Sequence, residues 1–388
     1  MMTFDNTEIA FKSKSDSQLK WAYRLFKLMG NSKLVKISNT LARFAVKIGI
    51  PVGWIARPTL YRHFVGGETI EKCAKVVENL SRYKVKAILD YSVEGKEDDV
   101  DIEAALQETL RTIKNASGNQ NIPFSVFKPT AFGKSVVLEK YSANKELNDR
   151  EKEEIEKFRK RIDTLCKTAF ELNVPILIDA EDSWYQPVID EVTEQMMEKY
   201  NKQSAIVFNT YQMYRVDRLD YLKEAHKRSK EGKYYLGAKF VRGAYMEKER
   251  ARAAERGYPD PIQPNKESTD RDFNLALKYC VENIENISIF NGTHNEYSCS
   301  YLAELMGKHN INKNDNRVWF SQLLGMSDNI SFNLAHDGYN VAKYLPYGPV
   351  NHVLPYLLRR AEENTSVKGQ SGRELQMITN ELKRRKGK

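Results

Sequence analysis

From residue 83 onward, short β-branched or aromatic runs alternate with longer, charged stretches of helical period. The runs are VKAILDYS (85–92), FSVFKPT (124–130), PILIDAE (175–181), SAIVFNT (204–210), LGAKFVRG (236–243), ISIFNGTH (287–294), RVWFSQL (317–323) and YNVAKYLP (339–346). Each is apolar enough to be buried on both faces, as strands of a parallel sheet are. Most intervals are long enough for a crossover helix. Eight such steps predict an α/β fold, a (βα)8 TIM-like barrel. A doubly wound open sheet is the alternative. The first strand–helix junction carries no GxGxxG, so a dinucleotide-binding version of that sheet has no support.

Before the barrel, residues 1–80 read as a helical arm, leaving 81–388 for the barrel. One apolar stripe is Trp21, Leu25 and Leu28, widened by Ala22, Phe26 and Met29, with Lys20, Arg24 and Lys27 outside it. A second is Ile37, Leu41, Phe44, Ala45 and Ile48. The segment from Pro51 to Pro58 breaks the pattern, and Thr69 is placed to cap the next helix. After the second strand a long connection holds a charged helix that starts near Asn148 or Asp149. The strand-like lead into YLPYGPVNHVLPYLLRRAEEN ends at Tyr344, and Pro346 and Gly348 make a turn. The final helix begins at Pro349 or Pro355, since each suits a first helical turn. Tyr356, Arg359, Arg360 and Glu363 then share one helical face.

Composition narrows the classes. The chain has 388 residues, 41% of them apolar, and a formal charge of +9. An excess of that sign suits nucleic acid, a membrane surface or an anionic ligand. Nucleic acid is disfavoured, because the basic clusters sit toward the two ends of the sequence and no recognition motif is present. Cys73, Cys166, Cys280 and Cys299 show no CxxC spacing, which speaks against a zinc site or a disulfide framework. There is no HExxH, GxSxG or GxxxxGK[ST]. No uninterrupted apolar run is long enough to span a bilayer. The basic amphipathic start resembles a mitochondrial presequence, but Asp5, Glu8 and Asp16 weaken that reading.

The strand C-terminal ends form the active face of a parallel barrel. Polar residues recur there: Asp90 and Glu94, Lys128, Asp179, Asn209, Lys239 with Arg242-Gly243-Ala244-Tyr245, Thr293-His294-Asn295, Gln322 and Tyr344. Lys128 and Lys239 lie in buried-looking strands, where an ammonium needs an anionic partner. Asp179 can serve one of them. Paired guanidiniums at Arg359 and Arg360 match a carboxylate in a bidentate way that lysine cannot. Four cations and few carboxylates fit an anionic ligand or cofactor. His294 has no companions at metal-ligand spacing.

Taken together, YLPYGPVNHVLPYLLRRAEEN, KFVRGAYMEKER (239–250), GTHN (292–295), LIDAED (177–182) and YRHFVGGE (61–68) closely resemble proline dehydrogenase in its single-function form, from residue 60 onward. The resemblance implies a distorted (βα)8 barrel with FAD at its C-terminal face and oxidation of L-proline to 1-pyrroline-5-carboxylate. It implies that Arg359, Arg360 and Lys128 bind the proline carboxylate, that Glu363 holds an arginine, and that Tyr344 and Tyr356 wall the ring. Asp179 matches the family's active-site aspartate, with an orienting role toward Lys128 or a tyrosine hydroxyl. Lys239 matches a cation beside the flavin. Arg242, Gly243, Ala244, Tyr245, Thr293, His294, Asn209, Ala180, Gln322, Lys266 and Thr269 match FAD contacts. Glu94 would form a gate with Arg359. Membrane quinone is the implied electron acceptor, with the basic arm against anionic lipid and a separate pyrroline-5-carboxylate dehydrogenase downstream. The implied location is the cytoplasmic side of the membrane, with the mitochondrial matrix and inner membrane as the alternative.

Overall fold

The computed structural model describes residues 2–31, 35, 37–38, 40–41, 56–92, 98–366 and 370–387, with backbone alone over 362–366 and 370–371. All eight predicted strands form: β1 Lys86–Tyr91, β2 Ser125–Phe127, β3 Ile176–Ile178, β4 Val207–Gln212, β5 Leu236–Val241, β6 Ile287–Gly292, β7 Val318–Leu323 and β8 Val341–Tyr347. They make one sheet in the order β1-β8-β7-β6-β5-β4-β3-β2. From β2 to β8 consecutive strands are neighbours, and β1 pairs with the last strand instead of with β2, Lys86 opposite Ala342 and Tyr91 opposite Tyr347. That pairing makes a nearly closed (βα)8 barrel and rules out the open-sheet alternative.

The chain divides into two compact units. One comprises Met1–Met2 and Gly95–Ser321. Its core starts from Phe124, which meets Phe208 of β4, Phe290 of β6 and Trp319 of β7 edge-on at 5.1–5.7 Å between ring centres. Its helices begin where polar side chains accept from orphan N–H groups: Asp98 before Asp99–Ala116, Asn265 before Lys266–Glu282 and Asn295 before Glu296–Lys308. The charged helix Asp149–Glu171 starts where the sequence places it, with Asn148 and Glu151 forming a reciprocal capping box.

The other unit comprises Thr3–Glu94 and Gln322–Lys388. In the helix Asp16–Met29 the buried face is Leu19, Ala22, Leu25, Phe26 and Met29. It joins Met377 and Ile378 of the helix Gln370–Lys386 in one hydrophobic cluster. The expected stripe is therefore rotated, and Leu28 is 57% exposed. Of the second stripe, Ile37 and Leu41 are exposed, and Phe44, Ala45 and Ile48 lie outside the described residues. The basic carboxy-terminal helix is neutralised locally. Arg384 and Arg385 both bond the buried Glu381, and they reach Glu8 and Asp16.

At the end of the barrel one expectation changes, and of the two helix starts the one at Pro349 holds. β8 continues past Tyr344 to Tyr347 and contains Pro346. Proline lacks a donor, but its carbonyl accepts from the Gly66 N–H at 2.8 Å. The last-rim helix is Val350–Ser366, so Pro349 precedes it and Pro355 lies inside it. Pro355 and Asn351 are both exposed, so water can satisfy the Asn351 carbonyl that proline leaves without an N–H.

Candidate active site

In the unit containing β2 to β6, the two lysines of the sequence reading separate. Lys239, the fourth residue of β5, is buried, and its Nζ lies 2.5 Å from Asp179 Oδ1, just beyond β3. Asp179 is itself fixed by its N–H to the Phe127 carbonyl at 3.0 Å. Lys128 follows β2 and opens the 3-10 turn Pro129–Phe132. Its charge acts on Glu181, a residue that the sequence reading quoted only within a motif. Glu181 is buried and accepts from the Thr130 N–H and the Thr130 hydroxyl, both at 2.7 Å. Burial pushes its carboxyl up to about 7, against the pull of those two donors and of Lys128. The available signal is its spacing: Asp179 and Glu181 are two apart, as neighbours on one face of an extended segment are.

Beyond β5 and β6 a second cluster forms. Arg242 donates to Asp270 Oδ1 at 2.8 Å, Thr293 Oγ1 at 2.5 Å and Ser298 Oγ at 3.0 Å, and its guanidinium lies 4.3 Å over the Phe273 ring. Lys266 also bonds Asp270, whose carboxyl is held below its usual range by Lys266 and Arg242 despite partial burial. Thus Arg242, Thr293 and Lys266 meet, with Thr269 one residue from the shared aspartate. Gly243 has φ +123, a conformation suited to glycine, and a Cβ there would strike the Tyr214 ring. Ala180, Tyr245 and His294 are half-buried, and Ala244 is exposed.

Asn209 does not join this cluster. Its Nδ2 donates to Asp190 Oδ1 at 2.9 Å, on the helix Gln186–Tyr200. Register explains it: Thr210 is paired with Lys239 and shares its face, so Asn209 faces the helices. Gln212, two residues beyond Thr210, returns to the Lys239 face. Its Oε1 is buried and has no hydrogen-bond partner, and neither has Ser321 Oγ near the end of β7. Buried orphan polar atoms are uncommon in a settled core. Gln212 Oε1 and Ser321 Oγ, near the arginine–lysine cluster, are free to meet a polar cofactor.

In the unit containing β8, Tyr344 and Tyr356 are buried, and the buried Arg360 guanidinium lies 5.2 Å from the Tyr356 ring centre. Arg359 is half-buried on the same helix. The Leu324 N–H donates to the Tyr344 carbonyl at 2.9 Å. Gln322 accepts from Ser331 Oγ at 2.7 Å. Glu94 lies outside the described residues, and Glu363 is described in its backbone alone.

A model of the family described as proline dehydrogenase matches residues 73–373. The chain belongs to the proline dehydrogenase family. Its relatives within and around that family include the carbapenem antibiotics biosynthesis protein CarD of Pectobacterium carotovorum, 34% identical over 83% of both chains. Mitochondrial proline dehydrogenase 1 of Homo sapiens is 42% identical over 61% of this chain and 40% of its own length. Among solved structures, proline utilization A of Bdellovibrio bacteriovorus, inactivated by N-propargylglycine, superposes with a TM-score of 0.73 over 93% of this chain and 38% of that one. At 20% identity that likeness speaks for the fold. A proline dehydrogenase is an oxidoreductase acting on proline, and the family match spans β1 to β8.

Proposed function

We propose that the chain oxidises L-proline to 1-pyrroline-5-carboxylate with FAD as its cofactor and a membrane quinone as the final acceptor. The observation that carries this reading is the buried Lys239–Asp179 pair at the mouth of a proline dehydrogenase barrel. Bound FAD would accept the hydride from the ring carbon beside the proline nitrogen. Arg242, Lys266, Thr269, Thr293 and His294 would hold it together with the Gly243-Ala244-Tyr245 backbone, Ala180 and the orphan amide of Gln212. Lys239, steadied by Asp179, supplies a fixed positive charge that needs no reorganisation when negative charge develops beside it. Arg359, Arg360 and Lys128 would bind the substrate carboxylate. Tyr344 and Tyr356 would exclude water from the ring, with Glu363 and Glu94 acting on the arginines. Free proline is a secondary ammonium at neutral pH, so its proton must leave before the C–H bond breaks.

The test is direct. Purified protein should be yellow and bleach anaerobically on addition of L-proline. A colourless protein, or one that proline does not bleach, overturns the reading. Among the described residues no helix is long and apolar enough to cross a membrane, so quinone would be met at the membrane surface. Leu28, Ile37 and Leu41 are exposed on the arm and available for that contact. The relatives named as mitochondrial favour the mitochondrial location over the cytoplasmic face.

A further inference from the structure

The unit built from Thr3–Glu94 and Gln322–Lys388 contains a cavity of about 330 Å3 that none of the residues assigned above lines. Its floor is an ion cluster. Asp328 is buried, with one carboxylate oxygen 2.7 Å from Lys14 Nζ and the other 2.9 Å from Lys343 Nζ. Lys343 also donates to the Met326 carbonyl at 2.5 Å. Asp328 is the one carboxylate among the described lining residues, and both of its oxygens are already engaged. Lys14 and Lys343 share Asp328, and the buried Glu374 acts on the same two lysines, which leaves only the exposed cations of the wall in excess.

Those cations are Arg62 and Lys75, with Lys14 already on Asp328. Arg62 and Lys75 are exposed and have no carboxylate partner among the described residues. His63 adds no further charge near neutral pH. Its Nε2 lies 2.8 Å from the Gly325 carbonyl, and burial pushes the imidazole down to about 4. The lining also includes Trp21, Leu80 and Phe332. The Trp21 indole N–H is buried and has no hydrogen-bond partner. An indole donor removed from water without an acceptor is costly, and an oxygen of a ligand would satisfy it. A cavity of this volume, lined by apolar side chains and a few donors, has the form of a small-molecule site.

We infer that this cavity binds a small amphipathic carboxylate, head toward Arg62 and Lys75 and apolar body against Trp21, Leu80 and Phe332. An inorganic anion would satisfy the cations but leave the aromatic wall wet. A neutral apolar molecule would satisfy the wall but leave Arg62 and Lys75 without an anion. Occupancy has a route to β8, because Leu324 of the wall bonds the Tyr344 carbonyl and Lys343 lies under Asp328. This inference is independent of the proposed proline reaction.

The experiment titrates the full-length protein, as purified, with phenylacetate, 2-phenylethanol and inorganic phosphate in parallel, following tryptophan emission and the melting midpoint. Phenylacetate should bind saturably, change the emission and raise the midpoint, since a ligand that binds only the native state stabilises it. The neutral alcohol and phosphate should do neither. R62M/K75M should weaken phenylacetate by about tenfold or more while leaving proline-dependent turnover unchanged. W21F should keep the midpoint shift and lose most of the emission change. Lack of saturation below about 10 mM, unchanged affinity in R62M/K75M, or equal binding of the alcohol or of phosphate overturns the inference. So does binding that merely competes with proline and leaves the Trp21 signal unmoved.

Discussion

Lys239 Nζ lies 2.5 Å from Asp179 Oδ1, and both side chains are largely shielded from water. Removing either partner strands the other charge. Lys239→Met and Asp179→Leu are each expected to lower unfolding free energy by about 3 kcal/mol, and the double variant by much less than the sum. Urea denaturation of the four proteins measures the coupling. Additive losses would mean that the two charges do not act as a pair.

Gln212 offers a contrast between stability and cofactor retention. Its buried Oε1 has no partner, so Gln212→Leu removes an unsatisfied atom from the unliganded fold. The variant should melt no lower than the parent when stripped of cofactor, yet retain FAD about tenfold less tightly. Flavin-to-protein ratio after dialysis against graded FAD reads the second effect. Equal retention would remove Gln212 from the cofactor site.

Glu181 predicts a pH dependence. Its folded carboxyl is pushed up from 4.5 to about 7 by burial. The folded state therefore holds the proton more tightly than the unfolded state does. The stability from this group is fully present below about pH 4.5 and is lost as pH rises through about 7. Glu181→Gln does not titrate, and its amide can still accept from the Thr130 N–H and donate to the hydroxyl. Relative to the parent it should gain on the order of 3 kcal/mol between pH 4 and pH 8. Glu374, pushed up to about 7 as well, titrates in both proteins and cancels in the comparison. A parent–variant difference that stays flat across that range contradicts the assignment.

Arg359 and Arg360 separate substrate binding from cofactor binding. Arg359→Met and Arg360→Met should each raise the proline Michaelis constant on the order of a hundredfold while flavin stays bound. Arg360→Lys should restore little, because the guanidinium plane that lies over Tyr356 is lost. Loss of FAD with an unchanged Michaelis constant would move these residues out of the proposed role.

The barrel is legible in the sequence because its strands are buried on both faces, and eight continuous apolar runs stand out from charged helices. The same property hides which residue faces inward. An alternating strand declares its parity, whereas a doubly buried one does not. At β4 the sequence favours Asn209, while the ladder puts Thr210 and Gln212 on the face of Lys239. Glu181 is hidden in the sequence for a related reason. Its partner Thr130 lies 51 positions earlier in the chain, and only the parallel pairing of β2 with β3 brings them together. Pro355 is tolerated inside the helix because it and Asn351 are exposed, which spacing does not reveal.

Closure of the barrel by Lys86–Tyr91 against β8 has a consequence for synthesis. A chain emerging from the ribosome presents β1 long before its partner exists. Ala87, Ile88 and Leu89, all buried at the end, must wait through the translation of six further strands with their ladder edge open. During that interval the nascent segment is a template for intermolecular pairing, so holdase chaperones should matter more to the yield of this chain than to that of proteins whose first strand pairs at once.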